Sequence, residues 1–480
     1  MFRLLSVVGL SVITFVFLGN AMKSFITSTV FVSEGVFASF LNISVDKTQI
    51  LVELLIGSSV MALAIAPFVL SRERAQRIAT LSAVTAAACY AALGLTLIWG
   101  PPLFYRELMV ILTFAVGGFC ISFFAPIAQL AITEVKTEKE RALLTTVWTS
   151  AQPVAFLITP QLVKYVAHDI GTGNYFLIFS ALPIVYLLLT KTVLKSFANG
   201  SDQDARNQTA PPPDWRVLGM LLLAMLTFEF WTLSNSLAGV ISPVSLSMMV
   251  LFFVVAIFTG LKLKRQKRDQ GASGKALAPT ATLLLVALFI LEIPSTGFYD
   301  TAYLVRHLCS STLIEDRASL GAAAQIAAVA LGGFLYLRWP SLMPLLLLSG
   351  ILLLLGGSVG YVYYPDMAID VDFFYISKMV ASAGMGLITT VIVTVVMSEC
   401  RENPVLILLP ALIIMFGTEF GLEILEIVYQ GSKLLGLDEI AAYRTIFIAQ
   451  VVAILIAVLP CAEAMLLHVK GNKRTPELAS

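Results

Sequence analysis

A helix needs about 20 consecutive, mostly apolar residues to cross the hydrocarbon of a bilayer. This chain supplies such a stretch fourteen times, over 5–36, 49–70, 78–99, 107–134, 142–165, 175–195, 217–237, 244–261, 277–306, 318–337, 341–362, 373–398, 404–430 and 445–469. In hydrocarbon no water pairs with the backbone, so a lone apolar stretch of this length must bond internally as a helix. The sequence therefore predicts an all-α integral membrane protein with about 14 transmembrane helices. Only 13% of the 480 residues are charged, about half the share of a soluble protein. That excludes an ordinary soluble enzyme and a disordered chain. Thirty-one Lys and Arg against 30 Asp and Glu leave no basic surplus for nucleic acid.

The first stretch follows Arg3 but is too long for a signal peptide and has no small-residue cleavage site. It is expected to be a span. Lys and Arg then set the orientation, because they collect on the cytoplasmic side. With a cytoplasmic amino terminus and fourteen alternating spans, 22 of them fall inside, 7 outside, and Lys23 and Lys378 within spans. The expectation is a multi-pass protein of the inner membrane with both termini cytoplasmic.

Two polar stretches interrupt the pattern. Ala198–Asp214 carries Pro211, Pro212 and Pro213, and Lys262–Lys275 is basic and Gly-containing. Both have linker composition. They bracket the seventh and eighth spans, so the chain divides into a six-helix half (1–197), an inserted pair with its linkers (198–276) and a second six-helix half (277–480). A short repeat supports this 6+2+6 division: Arg72 follows Pro67 by five residues after the second span, and Arg338 follows Gly333 by five after the tenth. Parallel halves of this kind occur in transporters that rock around a midplane site.

Several local runs carry a resemblance. They are Phe40–Gln49, Pro67–Arg77, Gly117-Gly118 with Pro126, Lys139-Glu140-Arg141-Ala142, Thr159-Pro160, Tyr175–Phe179 with Pro183-Ile184, and Asp214-Trp215. Together with the 6+2+6 layout they resemble the major facilitator superfamily, in its fourteen-helix drug:proton antiporter branch. The resemblance implies that family's fold and membrane transport, with the loops carrying Arg72, Arg74, Arg77 and Arg338 as gating loops. It does not carry over the family's coupling residues. Arg72 stands where the family has a loop Asp, Ala75 where it has Gly, Phe114 at its fourth-helix Arg, and Ile26 near its first-helix Asp.

A charge at the bilayer centre costs about 2.5–3.5 kcal/mol on insertion scales, so each one needs a reason. Asn20, Lys23, Thr27 and Glu34 share a face of the first span. Glu53 lies in the second and Glu229 in the seventh. Glu292, Thr296, Tyr299 and Tyr303 share a face of the ninth, with Asp300 close by and Pro294 freeing backbone carbonyls. Lys378, Ser382, Met385 and Thr389 share a face of the twelfth. Glu419, Glu423 and Glu426 stack on the thirteenth, an arrangement that is unfavourable when all three are ionised. These residues are expected to line a substrate and ion pathway, with burial pushing carboxylates toward neutral pKa values.

The expected function is secondary active, ion-coupled export of a small organic molecule. The partners are the lipid bilayer, that substrate and a coupling proton or cation. No nucleotide-binding loop, metal-ligand spacing or C-x-x-C pair occurs, so no cofactor and no enzymatic activity are expected. Nothing in the chain supports a periplasmic adaptor. The alternatives are an importer of the same fold, a polytopic membrane enzyme, or a scaffold subunit without coupled transport.

Overall fold

The structure is a computed structural model that describes residues 9–32, 45–135, 137–200, 215–269, 279–295, 311–363, 371–400 and 404–474. Fourteen principal helices account for nearly all of these residues. They are α1 (Leu10–Val32), α2 (Val45–Val69), α3 (Arg72–Trp99), α4 (Leu103–Glu134), α5 (Glu138–Leu162), α6 (Thr172–Gly200), α7 (Trp215–Ala238), α8 (Pro243–Asp269), α9 (Pro279–Ser295), α10 (Ser311–Arg338), α11 (Met343–Tyr363), α12 (Val371–Glu399), α13 (Pro404–Leu434) and α14 (Glu439–Arg474). Twelve are long and apolar enough to cross a membrane, and α2 and α9 contribute two shorter apolar segments. Each stretch read from the sequence is met by one helix. Glu34, Thr296, Tyr299, Asp300 and Tyr303, and the side chain of Arg72, lie outside the described residues.

Local chemistry sets the boundaries. Ser71 caps α3, its hydroxyl accepting from the Arg74 backbone N–H at 3.3 Å. Gly100 ends the helix at φ 62°, a left-handed conformation that glycine adopts without strain. Pro340 stops α10 and opens a single 3-10 turn before α11.

Helix α4 is not one regular helix. Thr113–Gly117 form a π-helical turn, and the chain bends again at Phe123. The second break has a plain cause: Pro126 has no N–H to give the Ser122 carbonyl, and its ring crowds that position. Phe123 instead donates to Cys120 O at 3.2 Å, a tighter bond.

The helices cluster into two compact units. Residues 2–135 and 158–276 make one, and residues 136–157 with 277–480 make the other. The inserted pair α7–α8 thus packs with the amino-terminal helices. In the first unit α1 packs on α4 and α6, α2 on α4, and α3 on α4 and α6. In the second unit α9 packs on α12 and α14, α10 on α12, and α11 on α12 and α14. These pairings recur with a shift of eight helices, and the second unit adds α9 on α13 and α13 on α14.

Small residues make these packings close, as expected where lipid removes the hydrophobic drive between helices. A Cβ on Gly94 would sit 2.7 Å from Gly173 O between α3 and α6, and one on Gly350 would sit 2.7 Å from Ile388 Cγ1 between α11 and α12. Aromatic side chains fill the remaining space: Phe15 stacks on Tyr186 at 4.7 Å, and Tyr361 packs on Phe447 at 5.5 Å.

Candidate functional site

On α1, Gly19 lets the helix settle on α4, since a Cβ there would lie 2.6 Å from Ala128 Cβ. Thr29 and Tyr175 join α1 to α6 by hydroxyls 2.6 Å apart. Asn20 is buried and Lys23 half-buried. The Thr27 hydroxyl donates to Lys23 O at 3.0 Å, so its hydrogen bond is made within its own helix.

Helices α2 and α7 bring two of the sequence-read carboxylates together. Ser236 of α7 donates to Glu53 Oε1 of α2. One turn further along α2 and two turns back along α7, Glu229 of α7 lies over Gly57 of α2, and a Cβ on Gly57 would overlap the Glu229 carboxylate outright. The other face of α7 is aromatic. Phe228 and Trp231 pack on Phe252 and Phe253 of α8, with Trp231 and Phe252 stacked at 5.9 Å. Both are buried there, while Phe230 is exposed.

In the second unit, Glu292 of α9 is 5% exposed. Thr418 of α13 donates to its Oε2 at 3.3 Å. Gly417 and Gly421 admit α9 closely: a Cβ on Gly417 would lie 2.9 Å from Glu292 Cβ, and one on Gly421 would lie 2.7 Å from Ile293 Cα. Phe289, Phe416 and Phe420 pack together along the same crossing.

Glu419 and Glu423 are also buried, and Glu426 accepts from Gln430 Nε2 at 2.7 Å. At about 100° per residue, this stripe lies roughly 160° around α13 from Gly417 and Gly421. The structure therefore places Glu292 and the Glu419/Glu423/Glu426 stripe on opposite sides of α13.

Lys378 of α12 runs along α10, where a Cβ on Gly321 would lie 3.2 Å from Lys378 Cγ and 3.1 Å from Ser382 Oγ. Of the loop arginines, Arg74 donates from Nε to Ser71 Oγ at 3.1 Å, and Arg338 lies 5.9 Å over the Trp339 ring. Arg77 is exposed. Among the described residues no group of three His, Cys, Asp or Glu is placed to hold a metal.

No protein-family model matches the sequence, and no curated protein does. Solved structures do match. A bacterial homologue of the iron transporter ferroportin, in its outward-facing state, superposes with TM-score 0.61 at 11% identity, covering 94% of this chain and 99% of that one. The human organic anion transporter MFSD10 gives 0.59 at 13%, covering 94% and 99%. The proton:xylose symporter XylE, of the major facilitator superfamily, gives 0.58 at 12%, covering 93% and 94%. The chain has the major facilitator fold.

Within that fold, α1 and α9 take equivalent places in the repeat, and so do α4 and α12. Two buried polar residues on these helices and their neighbours escaped the sequence reading. Gln129 of α4 is fully buried, and among the described residues neither its Oε1 nor its Nε2 finds a hydrogen-bond partner. A search for charges passes over an amide. Arg141 counts as a loop charge by position, yet it is 5% exposed in the first turn of α5. Its helix continues with Thr145 and Thr149, and Thr149 Oγ1 lies 3.4 Å from Thr390 Oγ1 of α12. The spacing of Thr145 and Thr149 is a helical-face signal legible in sequence. Burial of the arginine is not.

Proposed function

We propose that the chain is a secondary active transporter of the inner membrane, which exports a small amphipathic organic molecule by alternating access and couples this to a proton or cation. The six-helix repeat supplies the two halves that rock, and the termini lie in the cytoplasm. Orientation in this reading rests on the Lys and Arg bias of the loops.

One observation carries the coupling: Glu292 is sealed in the α9–α13 crossing with the Thr418 hydroxyl on its carboxylate. An ionised carboxylate is costly in such a place unless a proton or cation accompanies it. In this reading Glu292 carries the coupled proton or cation in the closed crossing, and its release requires α9 and α13 to part. The glycines at 417 and 421 let the two helices close tightly on each other at this contact. The likeness to a proton:xylose symporter is consistent with coupling of this kind.

The test is reconstitution in vesicles with an imposed proton gradient, using the cationic amphipath ethidium and a panel of neutral and anionic dyes. Wild-type protein should move at least one probe in a gradient-dependent way. Glu292→Gln should lose the gradient dependence while retaining downhill exchange. Lys23→Ala tests the α1 face in the same assay. Absence of gradient dependence for every probe sinks the coupled-transport reading, and unchanged coupling in Glu292→Gln sinks the role of this residue.

A further inference from the structure

The groove between α10 and α12 holds three polar side chains that the chain itself does not satisfy. Lys378 and Ser382 sit one turn apart on α12, and Gln325 sits one turn past Gly321 on α10. The helices interlock here: a Cβ on Gly386 would lie 3.1 Å from Gln325 Cγ, and one on Gly321 would touch both Lys378 and Ser382. All three side chains are half-buried. Among the described residues, none of their ammonium, hydroxyl and amide groups has a hydrogen-bond or ion-pair partner. Further along the same helix the hydroxyls behave differently. Thr390 donates to Gly386 O at 2.8 Å and Thr394 to Thr390 O at 2.7 Å.

Depth makes this arrangement informative. Helix α12 has 29 residues, or about 43 Å at 1.5 Å per residue. A hydrocarbon core of about 30 Å leaves roughly 6 Å of helix beyond each boundary. Lys378 is seven residues from Val371, so its Cα lies about 4 Å inside the boundary and its ammonium can reach the headgroups by snorkelling. That satisfies the lysine alone. Ser382 lies about one turn deeper, and Gln325 lies beside Gly386, one turn deeper again. Polar groups left without a partner at that depth carry a desolvation cost. A ligand whose acidic head meets Lys378 and whose polar atoms reach Ser382 and Gln325 removes that cost.

We propose that the α10–α12 groove is a binding site for an oxyanion headgroup, with Lys378 as its counter-charge and Ser382 and Gln325 as hydrogen-bonding groups below it. The chemistry is that of a carboxylate on an amphipathic solute or the phosphate of an anionic phospholipid. Binding is measured without any gradient, so the test does not depend on coupled transport.

The test uses the full chain in phosphatidylcholine nanodiscs. Pyrenebutyrate is the probe and pyrenebutanol its uncharged match. Wild-type protein should bind the carboxylate about tenfold more tightly than the alcohol, as expected for one close charge contact. Lys378→Gln should abolish that preference and leave alcohol binding as it was. Lys378→Arg should keep the preference, and Ser382→Ala should weaken carboxylate binding severalfold. Adding phosphatidylglycerol to the nanodiscs separates the sources. Displacement of pyrenebutyrate identifies the lipid phosphate as occupant, and undiminished binding identifies a solute carboxylate. Equal binding of the two probes by wild type overturns the proposal. So does a carboxylate preference that survives Lys378→Gln in a variant with unchanged thermal unfolding.

Discussion

Gly57 has no side chain, and the Glu229 carboxylate occupies the space that one would need. Gly57→Ala should therefore force Glu229 out of its seat and loosen α7 from α2, at about 1–3 kcal/mol, the usual cost of overpacking. Thermal unfolding measures this. The cost should shrink when Gly57→Ala is combined with Glu229→Ala, because the clash is then gone. An equal loss in both backgrounds would show that the methyl group meets something else. Neither residue announces this relation in the sequence: 57 and 229 are separated by most of a half, and a lone glycine in an apolar helix is common. Glu229 was visible as a charge within a span. Its docking on α2, with aromatic residues on the opposite face of α7, was not.

At the scale of elements, α4 shows how a neighbour supports an irregular helix. The π turn at Thr113–Gly117 leaves the Gly118 N–H shared among the carbonyls of Thr113, Phe114 and Ala115. Ser58 of α2 donates to Phe114 O at 3.1 Å and to Leu55 O at 2.9 Å. From α4 itself, Thr113 donates to Cys89 O of α3 at 3.2 Å. Short π segments recur at functional positions in helices, and here the segment spans Phe114, where the resembled family has its coupling Arg. Ser58→Ala removes a hydrogen bond worth about 1 kcal/mol. Amide hydrogen exchange at Gly117 and Gly118 should then quicken about fivefold while exchange in α3 stays unchanged. Unaltered exchange at those amides would show that α4 holds its π turn alone. The break at Pro126 was legible in the sequence because proline acts through its own backbone. The π turn was not, since nothing in Thr-Phe-Ala-Val-Gly encodes an extra residue in a turn.

For the whole molecule, the repeated packing of α1–α6 and α9–α14 comes with an inserted pair that clusters with the amino-terminal unit, while residues 136–157 cluster with the carboxy-terminal one. Fourteen helices in series make a firm topological prediction. Single cysteines placed at Thr137, Trp339 and Asn472 should be labelled by impermeant reagents from one side of the membrane, and cysteines at Pro102, Gly239 and Leu437 from the other. The side that carries Thr137 should be the cytoplasmic one, in keeping with the loop charges. Labelling of Trp339 from the side that labels Leu437 would break the count.

The number and type of the elements followed from sequence alone, because a backbone in hydrocarbon has no alternative to internal hydrogen bonds and each helix must be long enough to span. The buried carboxylates were legible for the same reason: a charge within an apolar run stands out against its own neighbours. Which of them meet was decided only by tertiary structure. Glu53 and Glu229 share one seam, Glu292 meets Thr418, and Glu292 and the Glu419 stripe lie on opposite sides of α13. Lys378 was singled out beside Ser382, but Gln325 joined them only once α10 packed on α12. Contacts of this kind depend on where glycines let two helices close together. Helical periodicity tells which residues share a face, and it carries no information about the partner that the face will meet.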